Sequence, residues 1–217
     1  MKDEKTPAQR ICHFGTFSTD QLYSHNALLA QSLSKAGWEI VECRPKSNES
    51  SVSQRVKSFN GVFAFARAVF KLLRQWIALF IQHAKTPRYD IMVVGYPSHA
   101  DMFLATMLCK WRRRPLVMDA FYGLYDTIVT DRKLLSAKSP LASLVRHWES
   151  IVLHLADYVL IDTDAQADML VANYTLDKEK VFSIPVGIDE SIWNDTPLPP
   201  DEGKLRVVLW ATFIPLH

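Results

Sequence analysis

The sequence predicts an α/β fold, a Rossmann-like parallel sheet with helices on both faces. Two observations carry that expectation. Apolar runs and helical patterns alternate from start to finish, which implies right-handed crossovers between parallel strands. The composition, 48% hydrophobic and 22% charged over 217 residues, is that of an ordinary globular chain with no disordered or fibrous bias.

The elements follow in order. Residues 10–16 read as a first strand. Residues 18–36 have helical spacing (Leu22, Leu29, Leu33) and stop at Gly37, a helix-ending residue. Residues 38–43 are a second strand, and the serine-rich stretch 45–58 is a loop. A long helical stretch covers 59–84. Residues 91–95 are a buried strand, 100–111 a helix, and 116–118 a short strand ending at Asp119. A long loop runs to about residue 140. Residues 141–155 are helical, 158–161 a strand, 165–174 a helix and 181–185 a strand.

Residues 194–203 hold Pro197, Pro199, Pro200 and Gly203, a linker composition. Residues 205–210 then read as a new buried strand. The expected division is one domain over 1–193, a linker over 194–203, and the first strand of a second, truncated unit over 204–217.

Several function classes are set aside by what the sequence carries. The formal net charge of +2 gives no argument for nucleic acid. Cys12, Cys43 and Cys109 are an odd, widely spaced set, neither a disulfide framework nor a zinc pattern, and read as buried thiols. That usage points to the cytoplasm. Residues 1–9 are polar and lack a signal-peptide core. The apolar stretch 62–81 is broken by Arg67, Lys71, Arg74 and Gln75, too polar to span a bilayer. No dinucleotide fingerprint, P-loop, serine elbow or metal-ligand pair is present, so no cofactor and no metal are expected.

In open α/β sheets, ligands bind outside the carboxyl ends of the strands. The loops that matter are therefore 15–20, 96–101, 119–131, 162–164 and 186–189. Gly15, with Thr16 beside it, follows the first strand, where a missing side chain lets a phosphate approach backbone N–H groups; a tight turn would need glycine equally. Tyr96 and His99 follow the third strand, and His99 stands near a helix N-terminus, which favours a neutral imidazole. The run 119–126 places Asp119, Tyr125 and Asp126 in the same crevice. Asp119 or Asp126 would serve as the catalytic carboxylate and Tyr125 as a substrate contact; the alternative is that Asp119 caps a turn and Tyr125 packs. Both carboxylates are expected on an exposed loop. His13 and His25 are read as structural. The stretch 59–84 pairs an apolar face with basic residues, which suits either an anionic membrane surface or packing on the sheet.

Taken together, these stretches resemble a known family. Phe14-Gly-Thr-Phe, Tyr23-Ser-His-Asn and Gly37 look like the opening strand, glycine loop and first helix of the family 4 glycosyltransferases, retaining enzymes of the GT-B fold. Val94-Gly-Tyr-Pro, Asp119-Ala-Phe, Leu124-Tyr-Asp-Thr, Asp131-Arg-Lys, 156–163 and Ile184-Pro-Val-Gly-Ile-Asp are similar to one subgroup of it. His25 stands where that subgroup often has arginine.

The resemblance implies two Rossmann-like domains facing across a cleft, with the acceptor on the N-terminal one and the nucleotide sugar on the other. It implies a nucleotide diphosphate sugar donor, a hydroxyl acceptor (a sugar or lipid-linked sugar), and Gly15 near the donor diphosphate. The implied activity is retaining sugar transfer, with this chain as the acceptor-side part and inactive alone. The implied setting is polysaccharide biosynthesis in the cytoplasm or at the membrane periphery. A nucleotide-sugar epimerase of the same architecture, or a non-catalytic α/β binding module, are the alternatives.

Overall fold

The computed structural model describes residues 9–17, 25–45, 62–97 and 99–187. The chain order is β1 (Arg10–Phe14), α1 (His25–Lys35), β2 (Glu39–Cys43), α2 (Val62–Lys85) and β3 (Ile91–Val94). A 3-10 turn (His99–Asp101) leads into α3 (Met102–Arg112) and β4 (Leu116–Phe121). A π-helical turn (Asp126–Asp131), α4 (Pro140–Leu155), β5 (Tyr158–Ile161), α5 (Asp164–Tyr174) and β6 (Val181–Ser183) complete it.

Six parallel strands form one sheet in the order β2-β1-β3-β4-β5-β6. The chain steps outward from β1 to β2, then back past β1 to β3 and onward. The strand order therefore reverses between β1 and β3, where sheets of this kind open a ligand crevice.

Side-chain alternation sorts each strand between two cores. Cys12, Met92, Met118, Val159 and Ile161 face α2, α3, α4 and α5, through Leu79, Leu108, Leu153 and Leu170. Ile11, Val93 and Val117 face α1, through Leu29 and Leu33. Each such buried aliphatic contributes about 1.5–3 kcal/mol relative to exposure, so helices on both faces are what this pattern requires.

Local signals set the helix ends. Ser139 accepts a hydrogen bond from the Ala142 N–H at 3.1 Å with Pro140 in the first turn, so α4 begins there. Thr163 does the same for α5 through Gln166. The turn after α1 contains Gly37 at φ 95°, as its glycine led us to expect.

Two expectations change. The fourth strand does not stop at Asp119 but runs on to Phe121, and the long loop to residue 140 contains the helical turn Asp126–Asp131. The expected linker, the strand 205–210 and the start of the first helix at residues 18–24 lie outside the described residues.

Candidate functional site

The crevice is built first at the β1/β3 reversal. Gly15 leaves β1 at φ 135°, a conformation that side chains rarely tolerate, and its N–H donates to the Cys43 carbonyl at 3.2 Å. Thr16 then turns toward Asp101. Its N–H and its hydroxyl both donate to Asp101 Oδ2, at 2.7 and 2.8 Å, while Trp76 Nε1 donates to Oδ1 at 3.1 Å. Asp101 is buried. Its carboxylate thus ties the loop after β1 to the helical entry after β3.

Gly95, at the end of β3, has no room for a side chain. A Cβ there would stand 2.6 Å from Asn26 Oδ1, 2.7 Å from His13 Nε2 and 2.7 Å from Phe17. Its bareness lets the first turn of α1 cross the end of β3, where Asn26 Nδ2 donates to the Tyr96 carbonyl at 2.6 Å.

One residue earlier, His25 reaches β4. His25 Nε2 lies 2.8 Å from Asp119 Oδ2, and its ring stacks on Phe121 with centroids 3.9 Å apart. This corrects two readings. Asp119 is not an exposed loop carboxylate; it lies within β4 and is 4% exposed. His25, read as merely structural, is its partner. Alternation along β4 explains both, because Asp119 shares the α1-facing side with Val117.

The end of β4 is irregular. Its register with β5 shifts between Asp119 and Phe121, and Phe121 sits at φ 53°. The ring of Phe121 lies 4.1 Å from that of Tyr122 and 5.3 Å from that of Tyr96, centroid to centroid. Tyr96 also meets His99 edge-on at 6.1 Å. His99 is buried, its Nε2 has no partner among the described residues, and burial pushes its pKa down to about 4. The expectation of a neutral imidazole named the helix N-terminus as cause; desolvation is the larger one.

Asp126 and Tyr125 stand elsewhere. They line a hollow of about 170 Å³ with Gly123, Thr130, Arg146 and Asn173, and Asp119 is not part of its wall. Arg146 lies over the Tyr125 ring, 5.6 Å from its centroid. The organiser here is Glu149, buried on α4. It accepts hydrogen bonds from the Leu124 N–H, the Tyr125 N–H at 2.9 Å and the Tyr174 hydroxyl.

Asp101 and Glu149 were not singled out from the sequence. Glu149 had a signal: it falls on the same helical stripe as Ala142, Val152 and Leu153, where a carboxylate needs partners. Among the described residues, no group of three His, Cys, Asp or Glu side chains is placed to hold a metal ion.

The family model of Glycosyltransferase Family 4 matches residues 24–192. The chain belongs to glycosyltransferase family 4. No curated protein matches it. The matched span contains His25, Tyr96, His99, Asp119, Tyr125 and Asp126, whereas Gly15 and Thr16 precede it. Family 4 membership supports transfer of a sugar from a donor to an acceptor. Among the described residues, no helix is long and apolar enough to cross a membrane.

Proposed function

We propose that this glycosyltransferase moves a sugar from a nucleotide diphosphate sugar to a hydroxyl acceptor with retention of configuration. The observation that carries the reading is the β1/β3 reversal of strand order in a family 4 chain, with the Gly15 loop on one side of it and the ends of β3 and β4 on the other. In this reading, residues 1–193 hold the acceptor and a unit beginning near residue 204 holds the donor.

A retaining transfer develops positive charge on the sugar and negative charge on the departing diphosphate. The bare Gly15 at the end of β1 leaves room for the diphosphate to approach; its own N–H and that of Thr16 are engaged by the Cys43 carbonyl and by Asp101. Asp119, held by His25, and the aromatic end of β4 suit the acceptor, whose hydroxyl must be held against the reacting carbon. Tyr125 and Asp126 line a separate hollow and serve a second contact with the acceptor.

The proposed setting is cytoplasmic, at an anionic membrane surface. Helix α2 holds no Asp or Glu over its 24 residues. It exposes Phe70 (69%), Leu73, Ile77 (61%), Phe80 and Ile81 along one stripe, flanked by exposed Arg67, Lys71 and Arg74. An apolar stripe with only positive charge beside it suits anionic lipid.

The test is to incubate the full-length protein with UDP- and GDP-sugars and hydroxyl acceptors and to read the product anomer by NMR. Retained configuration is the expected result. Inverted product would overturn the retaining mechanism. Conversion of the nucleotide sugar to its epimer would overturn transfer itself.

A further inference from the structure

A second concave place lies at the amino ends of the strands, opposite the loops described so far. Residues 86–90 lead from α2 into β3, and residues 113–115 lead from α3 into β4. Between these two entries is an open hollow of about 600 Å³, lined by Thr86, Pro87, Arg88, Tyr89, Arg112 and Arg114. Three of these six residues are arginines and none is acidic, so the wall is strongly positive. β3 and β4 are 4 and 6 residues long. At about 3.3 Å per residue, the hollow stands roughly 13–20 Å from the strands' carboxyl ends.

A cation at a helix C-terminus complements the helix dipole. Arg112 does this: its Nη2 donates to the His83 carbonyl, in the last turn of α2, at 3.2 Å. Its guanidinium also lies over the Tyr89 ring, 5.4 Å from the centroid. These contacts hold Arg112 in place without a carboxylate, but they account for one arginine, not three. Arg88 has no ion-pair partner among the described residues. Arg114 Nη1 stands 3.6 Å from Asp90 Oδ1, a long contact between half-exposed groups and worth little in water. The other oxygen of Asp90 accepts from the Arg10 N–H at 2.9 Å. The backbone supports the arrangement. Arg113 takes the left-handed conformation at the end of α3, φ 55° and ψ 50°, where glycine is usual. The Arg114 N–H then closes the turn on the Cys109 carbonyl at 3.0 Å. The reversal leaves Arg112 and Arg114 on the wall of the hollow and Arg113 off it.

We infer that Arg88, Arg112 and Arg114 form a binding site for the phosphate of a monoester. A guanidinium presents paired N–H donors whose geometry matches phosphate oxygens. A phosphate monoester carries about −1.5 to −2 charge at pH 7, which offsets most of the positive charge of the wall. The phosphate belongs either to a soluble ester or to a lipid headgroup, since both offer the same group. The site lies at the far end of the sheet from the proposed transfer reaction, takes no part in it and does not rest on it.

The test is calorimetric titration of the full-length protein with glycerol 3-phosphate, with glycerol as the control. Saturable binding of the ester and none of glycerol is expected. The double variant Arg88→Gln, Arg114→Gln should bind at least about tenfold more weakly, because two charge-assisted donors are lost. Neither side chain is buried, so the fold is not at risk. A second arm finds the source by sedimentation with vesicles of equal parts phosphatidylcholine and phosphatidic acid, against equal parts phosphatidylcholine and phosphatidylglycerol. A preference for phosphatidic acid that the double variant loses identifies a lipid headgroup. Binding of glycerol 3-phosphate with no preference between the vesicles identifies a soluble ester. Attachment through the α2 stripe would instead show as equal retention on both vesicles, in the natural protein and the variant alike. Neither ester binding nor a phosphatidic acid preference would overturn the site, and so would undiminished binding by the double variant.

Discussion

Thr16 and Asp101 are 85 positions apart in the chain and are joined by two hydrogen bonds, of 2.7 and 2.8 Å, from the backbone and the side chain of one residue to a single carboxylate oxygen of the other. The bond pair crosses the point where the strand order reverses, so the loop after β1 and the helical entry after β3 are held in register by a buried carboxyl group.

Asp101→Ala should therefore loosen the crevice and the fold together. It leaves the Thr16 N–H, the Thr16 hydroxyl and Trp76 Nε1 without this acceptor. The expected cost is about 2–3 kcal/mol, a fall of roughly 4–12 °C in Tm for a chain of this size. A thermal melt within a degree of the natural protein would mean that water replaces the carboxylate without loss.

Asp119→Asn in the full-length enzyme should slow turnover at least about tenfold, equivalent to roughly 1.4 kcal/mol of barrier. The sequence alone led us to expect little thermal effect, on the view that the group was exposed. Its burial and its bond to His25 at 2.8 Å change that. A loss of about 1–3 kcal/mol of stability should accompany the kinetic effect. Full specific activity in the folded fraction would assign Asp119 to structure alone.

Acid should weaken the fold well before carboxylates titrate. Burial pushes His13, His83 and His99 down to about 4. In the unfolded chain each returns to its ordinary value near 6.5. Below that, the unfolded state binds protons that the folded state refuses. Stability is then complete above about pH 6.5 and falls as pH drops toward 4, by up to roughly 1.4 kcal/mol per pH unit for each histidine. Urea midpoints at pH 7 and pH 5 should differ clearly; identical midpoints would show that these rings are hydrated.

Anionic vesicles should carry the protein into the pellet, and salt should release it, because surface attraction is screened within about 8–10 Å at such ionic strength. Ile77→Asp, which puts a charge in the exposed stripe of α2, should leave the protein in the supernatant. Equal recovery in the supernatant with and without vesicles would return α2 to the role of a packing helix.

Much of the fold was legible in the sequence because it rests on local signals. Gly37 ended a helix, and apolar runs marked the buried strands, since a central parallel strand is covered on both faces. The end of β4 was not legible. A charged residue at 119 looks like the start of a loop, and nothing nearby says that a histidine 94 positions away would pair with it. Gly15, Tyr96 and Asp119 were singled out by their place after strands or at a strand's end, a position that local patterning marks. Asp101 and Glu149 organise their neighbours through bonds that cross the sheet or span helices, and such pairings have no local spacing to read. Tyr125 and Asp126 were read as one loop with Asp119; they stand instead at the start of a π-helical turn, and adjacency in sequence did not place them beside Asp119.

Gly95 has a consequence for how this sequence can change over generations. Any larger residue there meets Asn26, His13 and Phe17 at once, all within 2.7 Å of where its Cβ would be. Overpacking of this kind costs about 1–3 kcal/mol. No single neighbouring substitution relieves all three contacts, so each one-step change away from glycine costs stability. Position 95 is therefore closed to any larger residue unless Asn26, His13 and Phe17 all give way together.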